Sequence, residues 1–306
     1  MFMLEEASSS CHATSRPPRP ARHHLTIDVE EFFHSTLLTA RIPAATWDAL
    51  PRRAPAVTEW LLEQMAAVGA SGTFFVLGWL AEKEPALVRR ISDEGHEVAA
   101  HSWWHRRVDS LSPEEFRSDA RKTKAFLEDL CGRAVVGFRA PSFSIRPGFE
   151  WAFDVLLEEG YKYDSSLFPI SVHPSYGYPA AKSDPYWLTR SAGTLLEVPL
   201  LTLGFGGRRL PAAGGAYLRF FPAALPRVAL RQAERRGESG TLYVHPWDLD
   251  PHVKRIRLPP LLALRLWGGA NAAKHRLRDL LRGFRFTSIA QTLAGLTPAG
   301  APGADG

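Results

Sequence analysis

Short apolar runs alternate with amphipathic stretches along most of this chain, and that alternation confines it to an α/β architecture. Leu25-Thr26-Ile27-Asp28-Val29 has the length and β-branched content of a buried strand, as do Thr73 to Leu77 and Glu97 to Ala100. Residues 55–68 place Val57, Leu61, Leu62, Met65 and Val68 at helical spacing and stop at Gly69. A second helix is expected over 84–94, closed by Gly95. Ser112-Pro113-Glu114-Glu115 joins an N-cap to a first-turn Pro and acidic residues, which predicts a helix running to about Leu130. Strands at 135–138 and 161–163 flank a helix over 148–159 that ends at Gly160. Such repetition builds a parallel sheet, open or closed into a barrel. A chain of 306 residues, 45% of them hydrophobic, is long enough for one large domain of this kind.

Beyond residue 170 the pattern is irregular. A strand at 194–198, a helix at 223–236, a strand at 241–244, a basic helix at 270–282 and a last strand signal at 284–287 are expected. The reading is therefore a core over 23–170 and a C-terminal elaboration over 171–293 that completes the barrel. The stretches 1–22 and 294–306, rich in Ser, Pro, Gly and Ala, are expected to be disordered tails.

Composition removes several function classes. The net charge of +5 is mild and no nucleic-acid-type Lys/Arg run stands out; Lys274, Arg276, Arg278 and Arg282 read as the solvated face of a helix. The two cysteines, Cys11 in the tail and Cys131 at a helix end, support neither a disulfide framework nor a thiolate zinc site. No apolar run is long enough to span a membrane. The N-terminus has acidic residues, Glu5 and Glu6, where a secretion signal needs basic ones, and no apolar core follows, so a cytoplasmic protein is expected. Gly204-x-Gly206-Gly207 lacks the lysine and the strand–helix frame of a phosphate loop.

Two stretches carry chemistry. His101-Ser102-Trp103-Trp104-His105 directly follows the strand at 97–100, and two His four apart share one face if the segment is helical, so both imidazoles can reach one metal. The end of a parallel strand is also where α/β active sites form. The other is Asp28-Val29-Glu30-Glu31. In extended backbone Asp28 and Glu30 point to one face, which allows one carboxylate to bind a metal while the other acts as a base. A strand end running into a polar, helix-capping loop explains the same residues.

Together with Phe138-Arg139-Ala140-Pro141-Ser142-Phe143-Ser144, Tyr163-Asp164-Ser165-Ser166 and Leu242-Tyr243-Val244-His245-Pro246-Trp247, these stretches occur in the order of the polysaccharide deacetylase family. This is the NodB-homology domain of carbohydrate esterases, and the chain resembles it over about residues 25–290. The Asp-x-Glu motif, Gly214-Gly215-Ala216-Tyr217-Leu218-Arg219 and Tyr243 to Asp248 are similar to the exosortase-associated exopolysaccharide deacetylases. The resemblance implies a distorted parallel (β/α) barrel and a metal held by Glu30, His101 and His105. It also implies Asp28 as general base, Arg139 paired with that base, and His245 as general acid. Most of the family has adjacent Asp-Asp where this chain has Asp-Val-Glu-Glu; that leaves Glu30 and Glu31 competing as ligand, with side-chain parity favouring Glu30.

Physical chemistry supports these roles. Amide hydrolysis needs an activated water and a polarised carbonyl, which a divalent ion with open positions provides. Zinc is the default for two imidazoles and a carboxylate, and cobalt, nickel or iron fit the same donors. A guanidinium beside Asp28 favours its charged form, and His245 titrates in the range a general acid needs. Asp164 either orients His245, lines the pocket, or caps with Ser165. Pro141, Ser142, Trp103 and Trp247 are candidate substrate contacts, although large aromatics such as Trp103, Trp104 and Trp247 are more often core. His96 reads as structural, and His23 and His24 receive no role. The expected activity is removal of N-acetyl groups from a polysaccharide or its precursor in exopolysaccharide biosynthesis. Hydrolysis of another amide, or carbohydrate binding without catalysis, are the alternatives. An oligomer is possible.

Overall fold

A computed structural model describes residues 22–171, 176–253 and 256–294. The expected tails lie almost wholly outside the described residues. Along the chain the elements are β1 (His23–Val29), α1 (Ala54–Ala66), β2 (Thr73–Val76), α2 (Gly78–Lys83), α3 (Pro85–Asp93), β3 (Glu97–Ala100), α4 (Pro113–Cys131), β4 (Gly137–Phe138), α5 (Trp151–Glu158) and β5 (Tyr163–Asp164). They continue with β6 (Tyr186–Arg190), β7 (Gly193–Glu197), β8 (Thr202–Phe205), β9 (Arg208–Pro211), α6 (Gly215–Phe220), α7 (Ala224–Arg235), β10 (Thr241–Val244), α8 (Pro260–Trp267), α9 (Ala270–Gly283), β11 (Phe286–Thr287) and α10 (Ile289–Leu293).

The main sheet runs β10-β1-β2-β3-β4-β5-β7-β6. Every pairing from β10 to β7 is parallel, and β6 returns antiparallel along β7. Its two ends, β10 and β6, do not meet, so the fold is a distorted, incompletely closed (β/α) barrel of the expected type. The C-terminal elaboration is woven into it. β10 pairs with β1 from His24↔Thr241 to Ile27↔Val244, and β11 takes the opposite edge of β1 at His24↔Thr287.

Side-chain alternation divides the strands into an outer and an inner face. Leu25, Ile27, Val29, Phe74, Val76, Val98 and Ala100 join the large core under the helices. Phe75, Ala99, Tyr163, Leu196 and Val198 form a smaller cluster inside the barrel. At its lower end Ile289 of α10 donates its N–H to Thr73 Oγ1 at 2.9 Å, and Ala290 donates to the half-buried Glu97 at 2.9 Å. Thr26 and Asp28 share this inner face and meet Arg139 there.

Local signals hold where the sequence supplies them. Ser112 caps α4 reciprocally with Glu115, at 3.2 and 2.9 Å, and Gly132 ends it with φ of 60°. The fifth strand falls on Tyr163–Asp164 rather than 161–163, and the helix expected from 148 begins at Trp151. The antiparallel strand β6, the β8–β9 hairpin and the short helices α2, α6 and α8 carry no pattern strong enough to stand out in the sequence, whereas β7 falls where a strand was expected.

Candidate active site

The first site residue sits inside β1 and the others just beyond strand ends. Asp28 is the penultimate residue of β1 and Glu30 follows it; His101 follows β3, Arg139 follows β4 and His245 follows β10. Parallel strands bring these four strand ends to one side of the sheet, whatever their separation in the chain. They line or underlie one cleft, a cavity of about 140 Å³.

Glu30, His101 and His105 are buried and present ligand atoms within 4.8 Å of one another. His105 Nε2 lies 2.7 Å from Glu30 Oε2. The His101 ring is fixed by Nδ1 against the Arg139 carbonyl at 2.7 Å, which leaves Nε2 to face the cluster. His105 Nδ1 is buried with no hydrogen-bond partner among the described residues. Burial works against a charged Glu30, but His105, His245 and His101 together hold its carboxyl below the usual range. Burial also lowers His101 to about 4, so it stands as a neutral imidazole, the form that ligates. Two imidazoles and an ionised carboxylate with converging ligand atoms fit a divalent cation of the zinc type.

Helical spacing is not what brings the imidazoles together. Residues 101–107 form no helix, and His105 has φ of 53° while Ser102 has φ of 65°. Left-handed backbone at non-glycine residues is strained and needs support. Here Asp119 of α4 supplies it, accepting from the Trp103 N–H at 3.0 Å and from Ser102 Oγ at 3.3 Å. Burial raises the Asp119 carboxyl to about 6 despite those bonds.

Glu31 points away from the cluster. It accepts the N–H groups of Arg53 and Ala54 at the start of α1, at 2.5 and 2.7 Å, and burial pushes it up to about 7. Glu30 is thus the carboxylate of the cluster, as side-chain parity with Asp28 favours.

Arg139 is fully buried and lies over the Phe75 ring at 4.1 Å. Its Nη1 donates to Asp28 Oδ1 and Thr26 Oγ1, both at 2.7 Å, while Nε and Nη2 donate to the carbonyl and hydroxyl of Ser165 at 2.9 and 2.8 Å. Asp28 Oδ2 is left facing His245 Nε2 at 3.9 Å.

His245 Nδ1 is 2.8 Å from Asp248 Oδ2, and Nε2 is 3.5 Å from Glu30 Oε1. Burial disfavours its charge, but the Asp248 contact, with Glu30 and Asp28 behind it, raises it to about 9. Asp248 is buried, yet the charges of Arg219 and His245 keep its carboxyl low. Arg219 reaches Asp248 Oδ1 at 3.0 Å and donates to the Leu266 carbonyl at 3.0 Å. Asp248 and Arg219 lie in the quoted motifs, but the sequence analysis gave them no role; the His245/Asp248 spacing of three, on a turn after a strand, was the available signal.

Three expectations are corrected. Asp164 neither orients His245 nor lines the cleft: its oxygens accept from the Ser166 N–H and hydroxyl at 2.8 and 2.7 Å, beside buried Glu197. Trp103 is buried against Phe126 under the Lys122 ammonium, outside the cleft. Pro141 is also buried and does not line the cleft, whereas Ser142 and Trp247 do. Trp247 stacks on His245 with centroids 4.5 Å apart and donates to Glu30 at 3.2 Å.

Comparison with known proteins bears on the fold and the reaction class. Residues 39–152 match the family model for polysaccharide deacetylase, and residues 165–294 match a domain of unknown function, DUF3473. A peptidoglycan-N-acetylglucosamine deacetylase of Bacillus cereus is 34% identical over 84 residues, 28% of this chain and 30% of its own. The Listeria monocytogenes peptidoglycan-N-acetylglucosamine deacetylase PgdA is 30% identical over 129 residues, 39% of this chain and 27% of its own. The match thus spans about 30% or less of the length of these curated relatives. A Mycobacterium smegmatis crystal structure described as a polysaccharide deacetylase superposes with a TM-score of 0.64 at 21% identity, covering 95% of this chain and 97% of that one. The Puue allantoinase structure superposes at 0.59 with 14% identity, over 94% and 96%. These two share the barrel fold. Residues 39–152 of this chain thus match the polysaccharide deacetylase family, within a barrel of the same fold.

Proposed function

We propose that this protein is a divalent-metal-dependent N-deacetylase that hydrolyses N-acetyl groups on an amino sugar of a polysaccharide or its precursor, with zinc as the default ion. One observation carries the reading: the Glu30–His101–His105 cluster lies between an Arg139-clamped carboxylate and an Asp248-oriented imidazole. Binding sites without chemistry have no need of all three groups. The relatives named as peptidoglycan deacetylases support the reaction class. Similarity of the first and last motifs to exosortase-associated enzymes supports a place in exopolysaccharide biosynthesis.

A divalent ion held by Glu30, His101 and His105 would supply Lewis acidity, polarising the amide carbonyl and acidifying water. Asp28 is positioned as the base. Its Oδ1 is occupied by Arg139, so Oδ2 accepts the proton of the attacking water. His245 keeps Nδ1 on Asp248 and presents a proton at Nε2 to the departing nitrogen. Water contributes hydroxyl to the acyl carbon, the C–N bond breaks, and acetate and a free amine result. Trp247 holds the imidazole plane by stacking.

The test is acetate release from N-acetylglucosamine oligomers by metal-loaded protein, with allantoin in a parallel reaction. Acetate from the oligomers supports the proposal. Turnover of allantoin alone would transfer the same residues to a cyclic amide.

A further inference from the structure

Three guanidinium groups line the cleft, those of Arg107, Arg219 and Arg265. Arg107 is engaged, holding both oxygens of Asp109 at 2.8 and 2.6 Å. Arg219 is buried on Asp248 and on the carbonyls of Leu266 and Gly268. Arg265, in the last turn of α8, differs from both. Its side chain is exposed at the cleft, and among the described residues no carboxylate forms an ion pair with it. The carboxylates in the wall are all answered: Asp28 by Arg139, Glu30 by His245, Asp248 by Arg219. An ion at the three-residue cluster adds further positive charge. The cleft therefore carries an uncompensated cation at its mouth, and such a field draws an anionic ligand. Beside it stand the phenols of Tyr176 and Tyr217, hydrogen-bonded to each other and both within reach of the Arg265 charge.

We infer that Arg265 is a specificity residue that binds a carboxylate carried by the glycan next to the N-acetyl sugar, so that the substrate is an acidic glycan. A planar guanidinium at an open rim matches a carboxylate in two-pronged fashion, with the phenols as further donors. The carboxylate belongs either to a uronate ring or to a lactyl ether arm. The inference rests on the deacetylase reading for the identity of the neighbouring sugar, but its test is one of binding.

Calorimetric titration of the full, metal-loaded chain with three tetrasaccharides decides it. One alternates N-acetylglucosamine with glucuronate, one alternates N-acetylglucosamine with N-acetylmuramate, and one is neutral N-acetylglucosamine tetramer. At least one acidic probe should bind about tenfold more tightly than the neutral one, and the tighter of the two identifies the source. Arg265→Gln should abolish that preference without changing affinity for the neutral probe, and Arg265→Lys should restore part of it. Higher salt should shrink the preference. Equal affinity for all three probes, no binding of either acidic probe, or a preference that survives Arg265→Gln would overturn the inference. Acetate is measured in the same samples. An Arg265-dependent preference without acetate from any probe removes the deacetylase reading alone; acetate without that preference removes this one alone.

Discussion

The Arg139 guanidinium lies 2.7 Å from the Asp28 carboxylate at the floor of the cleft, and both side chains are almost completely buried. A buried charge stripped of its partner is costly, so Arg139→Met should destabilise the fold by about 3–5 kcal/mol in urea unfolding. Asp28→Asn keeps an oxygen for Nη1 and should cost less, about 1–3 kcal/mol. It should nevertheless reduce deacetylation by about 10²–10⁴-fold, because the amide cannot accept the water proton. A stable Asp28→Asn protein with near wild-type rate would exclude Asp28 as the base.

The pH profile should carry the signature of His245. Its pKa is raised to about 9, and the acid acts only while protonated, so activity should fall as pH rises through that region. A bound cation offsets Glu30, which places the limb at or somewhat below 9. Asp248→Asn removes the charge that raises the imidazole and leaves only a neutral hydrogen-bond acceptor, so the alkaline limb should move toward the ordinary His range near 6.5. An unmoved limb would mean that another group is the acid.

Gly215 offers a test that leaves every charged side chain in place. A Cβ built there would fall 1.8 Å from Asp248 Oδ2. Gly215→Ala must push Asp248 away from His245, and it should mimic Asp248→Asn in rate and in the displaced alkaline limb. A wild-type profile from Gly215→Ala would show that Asp248 does not set the acid.

Stability should depend on pH through two carboxyls beneath the site. Burial raises Asp164 to about 6, and it raises Glu197 well above its ordinary value. A raised value means that the folded chain holds its proton more tightly than the unfolded chain. The contribution is then complete below about pH 4 and is lost as pH rises through the folded values. Glu197→Gln keeps a donor toward Asp164 without titrating, and should flatten the decline of the unfolding free energy between pH 5 and 8. An unchanged slope would exclude this pair as its source.

The sequence made legible those parts of the site that are written locally. Asp28, Glu30, His101, Arg139 and His245 each lie at or just past a strand end, where a hydrophobic run stops and a polar residue begins. Period-two alternation was enough to prefer Glu30 over Glu31, because both Asp28 and Glu30 turn inward while Glu31 turns to cap α1. What required the third dimension was less visible. The left-handed turn at His105 depends on Asp119, fourteen residues away on another element. Arg219 reaches Asp248 only because α6 packs against the turn that follows β10. Trp103 and Asp164 looked functional from their motifs, but burial beside Phe126 and Ser166 gives them structural work. Adjacency along the chain does not reveal which way a side chain turns.

The central claim is that Glu30, His101 and His105 hold one divalent ion that the reaction requires. Metal content by mass spectrometry, measured on the same samples as acetate release, tests it most directly. One equivalent of zinc or a similar ion per chain is predicted for the wild type. Both metal and activity should be lost on chelation and in His105→Ala, with activity returning to the chelated wild type when the ion is restored. Full deacetylation by metal-free protein, or an His105→Ala variant that keeps both its ion and its rate, would contradict the account.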